Sequence, residues 1–468
     1  MEKITGRELE KQLTWRFPNI GREAPDQTEE ASEFCEGYKE FLDLAKTERE
    51  FVSQALKLVK NAGYKEFVPG RTYKAGDKVF VNNRGKAMIL TTFGEKRADE
   101  GLKINAAHID SPRLDLKPNP LYEKHETALF KTHYYGGIRK YQWATIPLAL
   151  HGVVVKKGGE IVEVCVGEDE NDPVFCVTDL LPHLAAEQNK RTLAEGIKGE
   201  ELNILVGSLP FVCDEDEKKK IKEPVKLLAL KLLNDKYGMT EKDFIRAEFE
   251  MVPAVKARDV GFDRSMVGAY GQDDRVCAYT ALMAELETCI PERTTVTVLA
   301  DKEEIGSEGN TGLNSDFLFH HIQYLAQAAG VDYKEVLRTS VCLSSDVNAA
   351  FDPTFPQVSE ERNNCFLNKG CVLTKYTGAR GKSGTNDAGA ELVSRIIDIF
   401  EENGVYWQTG ELGAVDAGGG GTVAKFVAGL NVDVVDLGVP VLSMHAPFEV
   451  TAKLDIFNTY KAYKAFYK

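Results

Sequence analysis

The hydrophobic period of this sequence alternates between strand-like and helical runs, and this alternation constrains the fold more than any other feature. Strand-like runs at 294–300 and 339–344 alternate with helical patterns at 317–329 and 387–402. Residues 28–65 carry apolar side chains every three or four positions, which predicts one or two amphipathic helices. A chain in which strands alternate with helices favours a layered α/β domain with a largely parallel sheet.

The middle of the chain has a different pattern. Between residues 113 and 252 many short strand-like runs follow one another, and the alternation with helices returns afterwards. This change predicts a β-rich insertion, 113–252, between two parts of one α/β domain, 1–112 and 253–468. The charged run CDEDEKKK, at 213–220, is expected to be a solvated loop.

Two further patterns predict single elements. Residues 78–92 contain two β-rich runs around the Asn-Asn-Arg-Gly sequence at 82–85, which is typical of a β-hairpin. Near the end of the chain, a strand-like run at 434–443 precedes a helical pattern at 449–466. We therefore expect a strand followed by a long carboxyl-terminal helix.

The charge balance and the cysteines exclude several classes of protein. The chain contains 72 Asp and Glu against 58 Lys and Arg, a net charge of −14, which argues against nucleic acid or an anionic membrane as a partner. Its nine cysteines include no C-x-x-C pair, so we expect reduced thiols in a cytoplasmic protein rather than disulfides or a structural zinc site. No secretory signal and no apolar run of about 18 residues is present, so we expect no membrane-spanning helix.

Several apolar runs end in polar residues that could bind a metal. Parallel sheets place functional residues at the carboxyl ends of their strands, so we expect these residues to lie at one edge of the sheet. They are His108, Asp110, Glu303, Glu304, Asp346 and His445. A further candidate is Asp273 or Asp274, just before an apolar helical segment at 276–286.

The residue types at these strand ends indicate a metal-dependent hydrolase. Histidines among carboxylates form a donor set that suits Zn, Mn or Co and lacks the thiolates of a structural zinc site. On an extended segment Asp110 could accept the second imidazole N–H of His108 and fix its tautomer. Of Glu303 and Glu304, one could bind metal while the other takes a proton from activated water. A shared carboxylate among the ligands favours two metal ions about 3.5–4 Å apart.

Simpler interpretations of each of these features stay open. A single His after a strand is more often a core or surface side chain, and adjacent acids are usually solvated. The stretch AGGGG, at 417–421, lacks the Lys-Ser/Thr of a phosphate loop, so we expect a close backbone approach or a flexible substrate loop. The stretch GARGKSG, at 378–384, is either an exposed turn or an anion-binding loop.

Eight segments carry a more specific signal. In order from about residue 105 to residue 449, they are AAHIDSPRLDLKP, YYGG, the DDR segment, DKEEIGSEGNTG, SSDV, KYTGARGKSGTNDAGAE, DAGGGGT and DLGVPVLSMHAPFE. This set resembles the aspartyl aminopeptidase and aminopeptidase I family of dinuclear zinc metallopeptidases. The resemblance covers most of the chain, and the number and spacing of the segments make it specific.

The resemblance implies a complete set of metal ligands. His108 and Asp346 would hold one divalent metal ion, with zinc expected and cobalt or manganese also suitable. Glu304 and His445 would hold the other ion. Asp273 would bridge the two ions, because it matches the first position of the family's Asp-Asn-type motif.

The resemblance also implies the other roles at the site. Glu303 would be the general base, and Asp110 would orient His108. Lys375 matches a lysine of the substrate pocket, and a histidine such as His183 would reach the active site of a neighbouring subunit. Members that prefer acidic substrates carry a histidine where this chain has Ala349, which puts a preference for Asp or Glu in doubt.

The fold, assembly and reaction follow from the same resemblance. It implies a three-layer α/β/α zinc-peptidase catalytic domain with an inserted β-rich dimerisation domain, and dimers that assemble into a tetrahedral dodecamer. The implied enzyme is a metal-dependent aminopeptidase that acts on peptides. The alternatives are a related dinuclear amidase, such as a carboxypeptidase or deacylase, and a catalytically inactive assembly protein.

Overall fold

The computed structural model describes residues 4–214 and 220–468. Residues 215–219, within the charged run predicted to be a solvated loop, lie outside the described residues. Among the helices of the described ranges, none is long and apolar enough to cross a membrane. The α-helices are α1 (Gly6–Leu13), α2 (Ile20–Glu23), α3 (Gln27–Leu44), α4 (Glu48–Asn61), α5 (Pro224–Tyr237), α6 (Gln272–Glu287), α7 (Phe317–Ala329), α8 (Tyr333–Thr339), α9 (Ala390–Glu402), α10 (Ala424–Ala428) and α11 (Lys453–Tyr467).

The strands of the described residues form two large sheets and two small ones. They are β1 (Lys65–Glu66), β2 (Lys78–Asn83), β3 (Ala87–Thr92), β4 (Lys103–His108), β5 (Arg113–Lys124), β6 (Thr127–Tyr135), β7 (Leu148–Val155), β8 (Ile161–Val166), β9 (Cys176–Val177), β10 (Ile204–Gly207), β11 (Ala247–Pro253), β12 (Arg258–Val260), β13 (Met266–Ala269), β14 (Thr295–Ala300), β15 (Val341–Ser344), β16 (Asn348–Ala349), β17 (Cys371–Thr374), β18 (Trp407–Thr409), β19 (Asp433–Gly438), β20 (Pro440–Val441) and β21 (Glu449–Ala452).

The first large sheet has nine strands in the order β1-β2-β3-β14-β4-β15-β19-β17-β18. Its central neighbours β14, β4, β15 and β19 are parallel, whereas β3 runs antiparallel to β14, and β17 runs antiparallel to β19 but parallel to β18. The register sets Ala300 level with His108, and Ser344 level with Asp436. The carboxyl ends of the central strands therefore lie at one edge of the sheet, where α/β folds place their functional residues.

Helices cover both faces of the nine-stranded sheet. Alternate residues of β14 point to opposite faces, so Val296 and Val298 pack with α7, α8 and α10, while Leu299 packs with α3, α4 and α6. All three side chains are fully buried, and burial of each contributes roughly 1.5–3 kcal/mol to folding. The sheet is thus the middle layer of an α/β/α sandwich, and the predicted fold class is confirmed.

The second large sheet is the β-rich part of the chain. Its strands have the order β8-β7-β11-β5-β6-β10-β9 and all lie between Arg113 and Pro253. Every pair in it is antiparallel, and Leu230 and Leu233 of α5 pack against its core beside Phe130. The predicted β-rich character of this region is confirmed, whereas its definition as a separate domain stays a prediction.

Two of the single elements can be compared with their sequence patterns. The hairpin predicted over 78–92 is confirmed, because β2 and β3 pair antiparallel across it. The helix predicted over 449–466 is too long at its start, since α11 begins only at Lys453. The first four residues form β21, which pairs with β13; two of them are β-branched and favour a strand.

The glycine-rich stretch 417–421 packs closely against other backbone segments. A Cβ added at Gly418 would collide with the carbonyl oxygen of Leu412, and one added at Gly419 would collide with the backbone of Ala379. The expected close backbone approach is confirmed. The same contact brings this stretch against the second glycine-rich stretch, to which Ala379 belongs.

Candidate metal centre

The structure brings six of the predicted site residues together at the carboxyl edge of the nine-stranded sheet. His108 is the last residue of β4, and Asp346 follows β15 by two residues. Glu303 and Glu304 follow β14 in a short 3-10 turn rather than in an extended segment. The other two are Asp273, at the start of α6, and His445, between β20 and β21. The parallel strands thus collect side chains that are far apart in sequence.

The imidazole of His108 faces carboxylates through its Nε2 atom. This atom lies 3.2 Å from Asp273 Oδ1 and 3.8 Å from Asp346 Oδ1. Glu303 Oε2 lies 3.9 Å from the same nitrogen. Several oxygen atoms around one imidazole nitrogen form a donor set that a divalent cation can accept.

The imidazole of His445 makes a second set around the same aspartate. Its Nε2 atom lies 3.1 Å from Asp273 Oδ2 and 3.6 Å from Glu304 Oε2. The two oxygens of Asp273 therefore face two different histidines, since Oδ1 is directed to His108. This is the arrangement of a carboxylate shared between two metal positions.

Backbone carbonyls determine which nitrogen of each imidazole is available. His108 Nδ1 lies 3.1 Å from the main-chain oxygen of Asp110, and His445 Nδ1 lies 2.7 Å from that of Gly137. A carbonyl oxygen can only accept, so each Nδ1–H donates, and Nε2 is the nitrogen that remains to bind a metal ion in place of its proton. Both Nε2 atoms point toward Asp273, and the Nδ1 bonds fix the ring orientation as in metal-binding histidines.

The buried carboxylate of Asp110 connects His108 to the turn of the two glutamates. Its Oδ1 accepts the main-chain N–H of Glu303 at 3.1 Å, and its Oδ2 accepts that of Glu304 at 3.2 Å. Asp110 Oδ1 also lies 3.3 Å from His108 Nδ1. The sequence predicts a contact between Asp110 and His108 but not the contacts with the turn, which depend on the packing of β4 beside β14.

Glu449 is a buried residue of the site that the sequence analysis missed. Its Oε1 accepts the main-chain N–H of His445 at 2.7 Å, and its Oε2 accepts that of Asp273 at 3.1 Å. His445 has a left-handed backbone, with φ +64°, and the first of these bonds holds its amide. The sequence signal that could have identified it is its position in the segment DLGVPVLSMHAPFE, four residues after His445.

Burial and charge shift the pKa values of the site. Burial alone would lower the pKa of both imidazoles, but the surrounding carboxylates raise the pKa of His108 and raise that of His445 to about 11. Burial raises the pKa of Glu303 to about 8. Asp273 is also buried, yet the two imidazoles hold its pKa below the usual range. The carboxylates crowded here favour any group that brings positive charge.

Unpaired buried oxygens test whether these residues fit a metal. In the part of the chain that the structure describes, Asp273 Oδ1 and Glu304 Oε1 are buried without a hydrogen-bond donor. Such atoms are rare in folded proteins unless an ion or water satisfies them. Donor atoms of His108, Asp273 and Glu304 lie within 4.8 Å of one another, and so do those of His108, Asp274 and Asp346. The site therefore fits divalent metal.

One side of the site is open. The side chain of His445 is 35% exposed, that of Glu303 is 19% exposed and that of Asp346 is 12% exposed, against 1% for His108. A substrate can thus approach over His445 and Glu303, while His108 forms the buried floor. The geometry can hold a reacting carbonyl and a water beside a carboxylate base.

The two predicted substrate residues lie outside the cluster of ligands. Lys375 is exposed and directly follows β17. Asn348 Nδ2 donates to Thr374 Oγ1 at 2.8 Å, which sets Lys375 beside the segment that contains Ala349. His183 lies in an exposed 3-10 turn between β9 and β10, in the region of the seven-stranded sheet.

The fold and this donor set define a metal-dependent hydrolase. A family model described as aminopeptidase I zinc metalloprotease (M18) matches residues 41–467. The chain belongs to this family of zinc metallopeptidases.

Individual relatives agree with this assignment. A probable M18 family aminopeptidase 1 of Clostridium acetobutylicum is 51% identical over 449 residues, covering 94% of this chain and 95% of the relative. The crystal structure of aminopeptidase I from the same organism has a TM-score of 0.91 and 46% identity, covering 97% of this chain and 100% of its own. The yeast mApe1 dodecamer shares the fold, with a TM-score of 0.73, 22% identity, and coverage of 94% of this chain and 97% of its own.

Proposed function

We propose that this protein is a dinuclear metal-dependent aminopeptidase that removes amino-terminal residues from peptides. The observation that carries the proposal is the position of Asp273, whose two oxygens face Nε2 of His108 and of His445. A shared carboxylate of this kind is typical of two metal ions about 3.5–4 Å apart. The family supports zinc, although manganese and cobalt suit the same donors.

Each metal position has its own histidine and its own carboxylate. In this proposal His108 and Asp346 would hold one ion, Glu304 and His445 would hold the other, and Asp273 would offer one oxygen to each. The separations of 3.8 Å from His108 Nε2 to Asp346 Oδ1 and 3.6 Å from His445 Nε2 to Glu304 Oε2 support the pairing. Bound ions would polarise the scissile carbonyl and make the attacking water more acidic.

Glu303 is the general base of the proposed reaction. It takes a proton from the attacking water as the C–O bond forms, and gives that proton to the amine nitrogen as the C–N bond breaks. Glu303 Oε2 lies 3.9 Å from His108 Nε2 on the open side of the site, where it can reach a water that bound metal would activate. Asp110 positions this base through the main-chain N–H of Glu303.

The proposal extends to the domains and the assembly. Residues 1–112 and 253–468 form the catalytic domain, and residues 113–252 form a dimerisation domain. The dimers build a tetrahedral dodecamer in the cytoplasm, an assembly for which the yeast dodecamer gives support. Exposed leucines flank His183, and apolar surface of this kind supports a subunit contact that brings His183 to a neighbouring active site.

The side chain of the amino-terminal substrate residue would contact Lys375. An exposed lysine can pair with an acidic side chain, or extend its methylene groups over an apolar one. Ala349 offers no second polar group for a substrate carboxylate. We therefore propose a broad specificity in which acidic residues are accepted without strong preference.

The test combines a substrate pair with a variant of the base. The enzyme should cleave a peptide with a free amino terminus and leave its acetylated form intact. Glu303→Gln should lower kcat by about 10²–10⁴-fold while both metal ions stay bound. Glu95→Gln, an exposed residue near the opposite edge of the sheet, is the matched control and should keep full activity.

Two outcomes would contradict the proposal. Cleavage of the acetylated peptide would instead indicate a dinuclear carboxypeptidase or deacylase. A Glu303→Gln enzyme with a near wild-type rate would exclude Glu303 as the base.

A further inference from the structure

One segment of the seven-stranded sheet reaches both histidines of the metal centre. The segment Tyr135–Gly136–Gly137 begins with the last residue of β6. The hydroxyl of Tyr135 donates to Asp110 Oδ2 at 2.8 Å, and the carbonyl oxygen of Gly137 accepts from His445 Nδ1 at 2.7 Å. Asp110 in turn contacts His108. The region predicted as an insertion therefore contributes directly to the geometry of the site.

Gly136 permits this close approach. Gly136 has φ +74°, and a Cβ added there would lie 3.1 Å from Glu304 Oε2 and 3.2 Å from Glu304 Cβ. A left-handed backbone and contacts this short both favour glycine at position 136. A Cβ added at Gly137 would lie 3.4 Å from His445 Nδ1, an ordinary van der Waals contact. The backbone of the segment thus packs against Glu304 and His445, the two residues proposed to hold one of the ions.

The ring of Tyr135 is held independently of the metal centre. Tyr135 is 8% exposed, and the guanidinium carbon of Arg113 lies 3.9 Å from its ring centroid. Arg113 is itself fixed by Glu48, from α4, and by Glu250, from β11, each at 3.3 Å. A hydroxyl on a ring held in this way donates in one direction, toward Asp110.

We propose that Tyr135 is a positioning residue that sets the metal affinity of the site through Asp110. Its hydroxyl bond fixes the carboxylate that contacts His108 Nδ1 and accepts the N–H groups of the glutamate turn. Loss of the hydroxyl removes one of the three hydrogen bonds that hold this carboxylate, so the imidazole and the turn are less firmly anchored. The inference rests on the metal ligands assigned under the proposed function.

The adjacent tyrosine provides a matched control. Tyr134 precedes Tyr135 on β6, so its side chain points to the other face of the strand, and it is 40% exposed. Tyr135→Phe and Tyr134→Phe remove the same atom from neighbouring positions. The two variants therefore separate an effect on the site from a general effect of losing a hydroxyl.

The measurement is the affinity of the full-length protein for Zn²⁺ alone, in competition with a chromogenic chelator. Changes to groups that orient metal ligands typically lower affinity by about 10–100-fold. We expect about tenfold weaker zinc binding for Tyr135→Phe and none of this loss for Tyr134→Phe. Both metal-free variants should stay folded at the assay temperature, because the ring of Tyr135 and its packing stay in place, although loss of a hydrogen bond to a charged group lowers the melting temperature of Tyr135→Phe somewhat.

The activity with saturating zinc gives a second readout. Tyr135→Phe should lower kcat, because the turn that carries Glu303 is less well held, and should leave KM unchanged. Equal zinc affinity in wild type and Tyr135→Phe would overturn the positioning role. So would an equal loss in both variants, or a metal-free Tyr135→Phe protein that is unfolded at the assay temperature. A wild-type protein that binds no zinc would instead overturn the proposed function.

Discussion

Glu449 offers a direct test of how the metal centre is held. Its carboxylate touches no proposed ligand side chain, but its two oxygens accept the main-chain N–H groups of Asp273 and His445. Glu449→Gln keeps the size and burial of the side chain. The amide retains one acceptor oxygen and turns a donor NH₂ group toward the other N–H, because an amide nitrogen cannot accept.

The size of the effect follows from these two bonds. A hydrogen bond to a charged group contributes about 1.5–3 kcal/mol. The substitution removes one such bond and weakens the other, because the remaining acceptor is neutral. We expect the amide oxygen of Gln to take the shorter of the two bonds, the one of 2.7 Å to the main-chain N–H of His445. The main-chain N–H of Asp273 then loses its acceptor. A loss of about 2 kcal/mol corresponds to roughly 30-fold weaker metal binding.

The assay measures the zinc affinity of Glu449→Gln, with wild type and Glu95→Gln measured alongside as controls. Because Asp273 is proposed to contact both ions, both should be lost over the same range of chelator concentration. Circular dichroism of the metal-free proteins should show intact secondary structure in all three. Full zinc affinity in Glu449→Gln, or loss of one ion with the other retained, would refute the reasoning.

Three other predictions concern the metal, a glycine and a buried histidine. Removal of metal with a chelator should abolish peptide hydrolysis, and Zn, Co or Mn should restore it; activity that survives chelation would contradict the mechanism. Gly438→Ala should destabilise the protein by about 3 kcal/mol or more in urea unfolding, because its Cβ would collide with the main-chain oxygen of Asp346, whereas Gly6→Ala, with nothing within 4 Å, should be neutral. Burial lowers the pKa of His321 from 6.5 to about 4, so between these values the unfolded chain binds a proton more readily than the folded protein does. The free energy of unfolding should therefore fall by about 2–3 kcal/mol as the pH drops through this range. Urea unfolding of the metal-free protein at pH 7 and pH 4.5 should show a smaller pH effect in His321→Gln, and an unchanged pH effect would exclude this cause.

The layered part of the fold could be predicted because its strands are buried on both faces. The run 294–300 has no charged residue and consists of Thr, Val, Leu and Ala, and buried parallel strands are rich in such β-branched and apolar side chains. The start of α11 could not be predicted in the same way. Glu449–Ala452 pairs with β13, a contact with a segment far away in the chain, and local periodicity contains no information about such a partner.

The same distinction applies to the metal centre. His108 and Asp346 could be singled out because they end apolar runs, and parallel strands bring such ends to one edge. Glu449 and Tyr135 could not, because they act through main-chain amides and through Asp110. Their roles depend on β21 and β6 lying against the site, which only the tertiary structure reveals.

The central claim is that Asp273 lies between two metal ions, each bound by one histidine. Crystals of the full-length protein grown with zinc, with anomalous diffraction recorded at the zinc edge, test it most directly. The account predicts two peaks about 3.5–4 Å apart, one beside His108 Nε2 and one beside His445 Nε2, with an oxygen of Asp273 at each. A single peak, or peaks that do not contact Asp273, would contradict it.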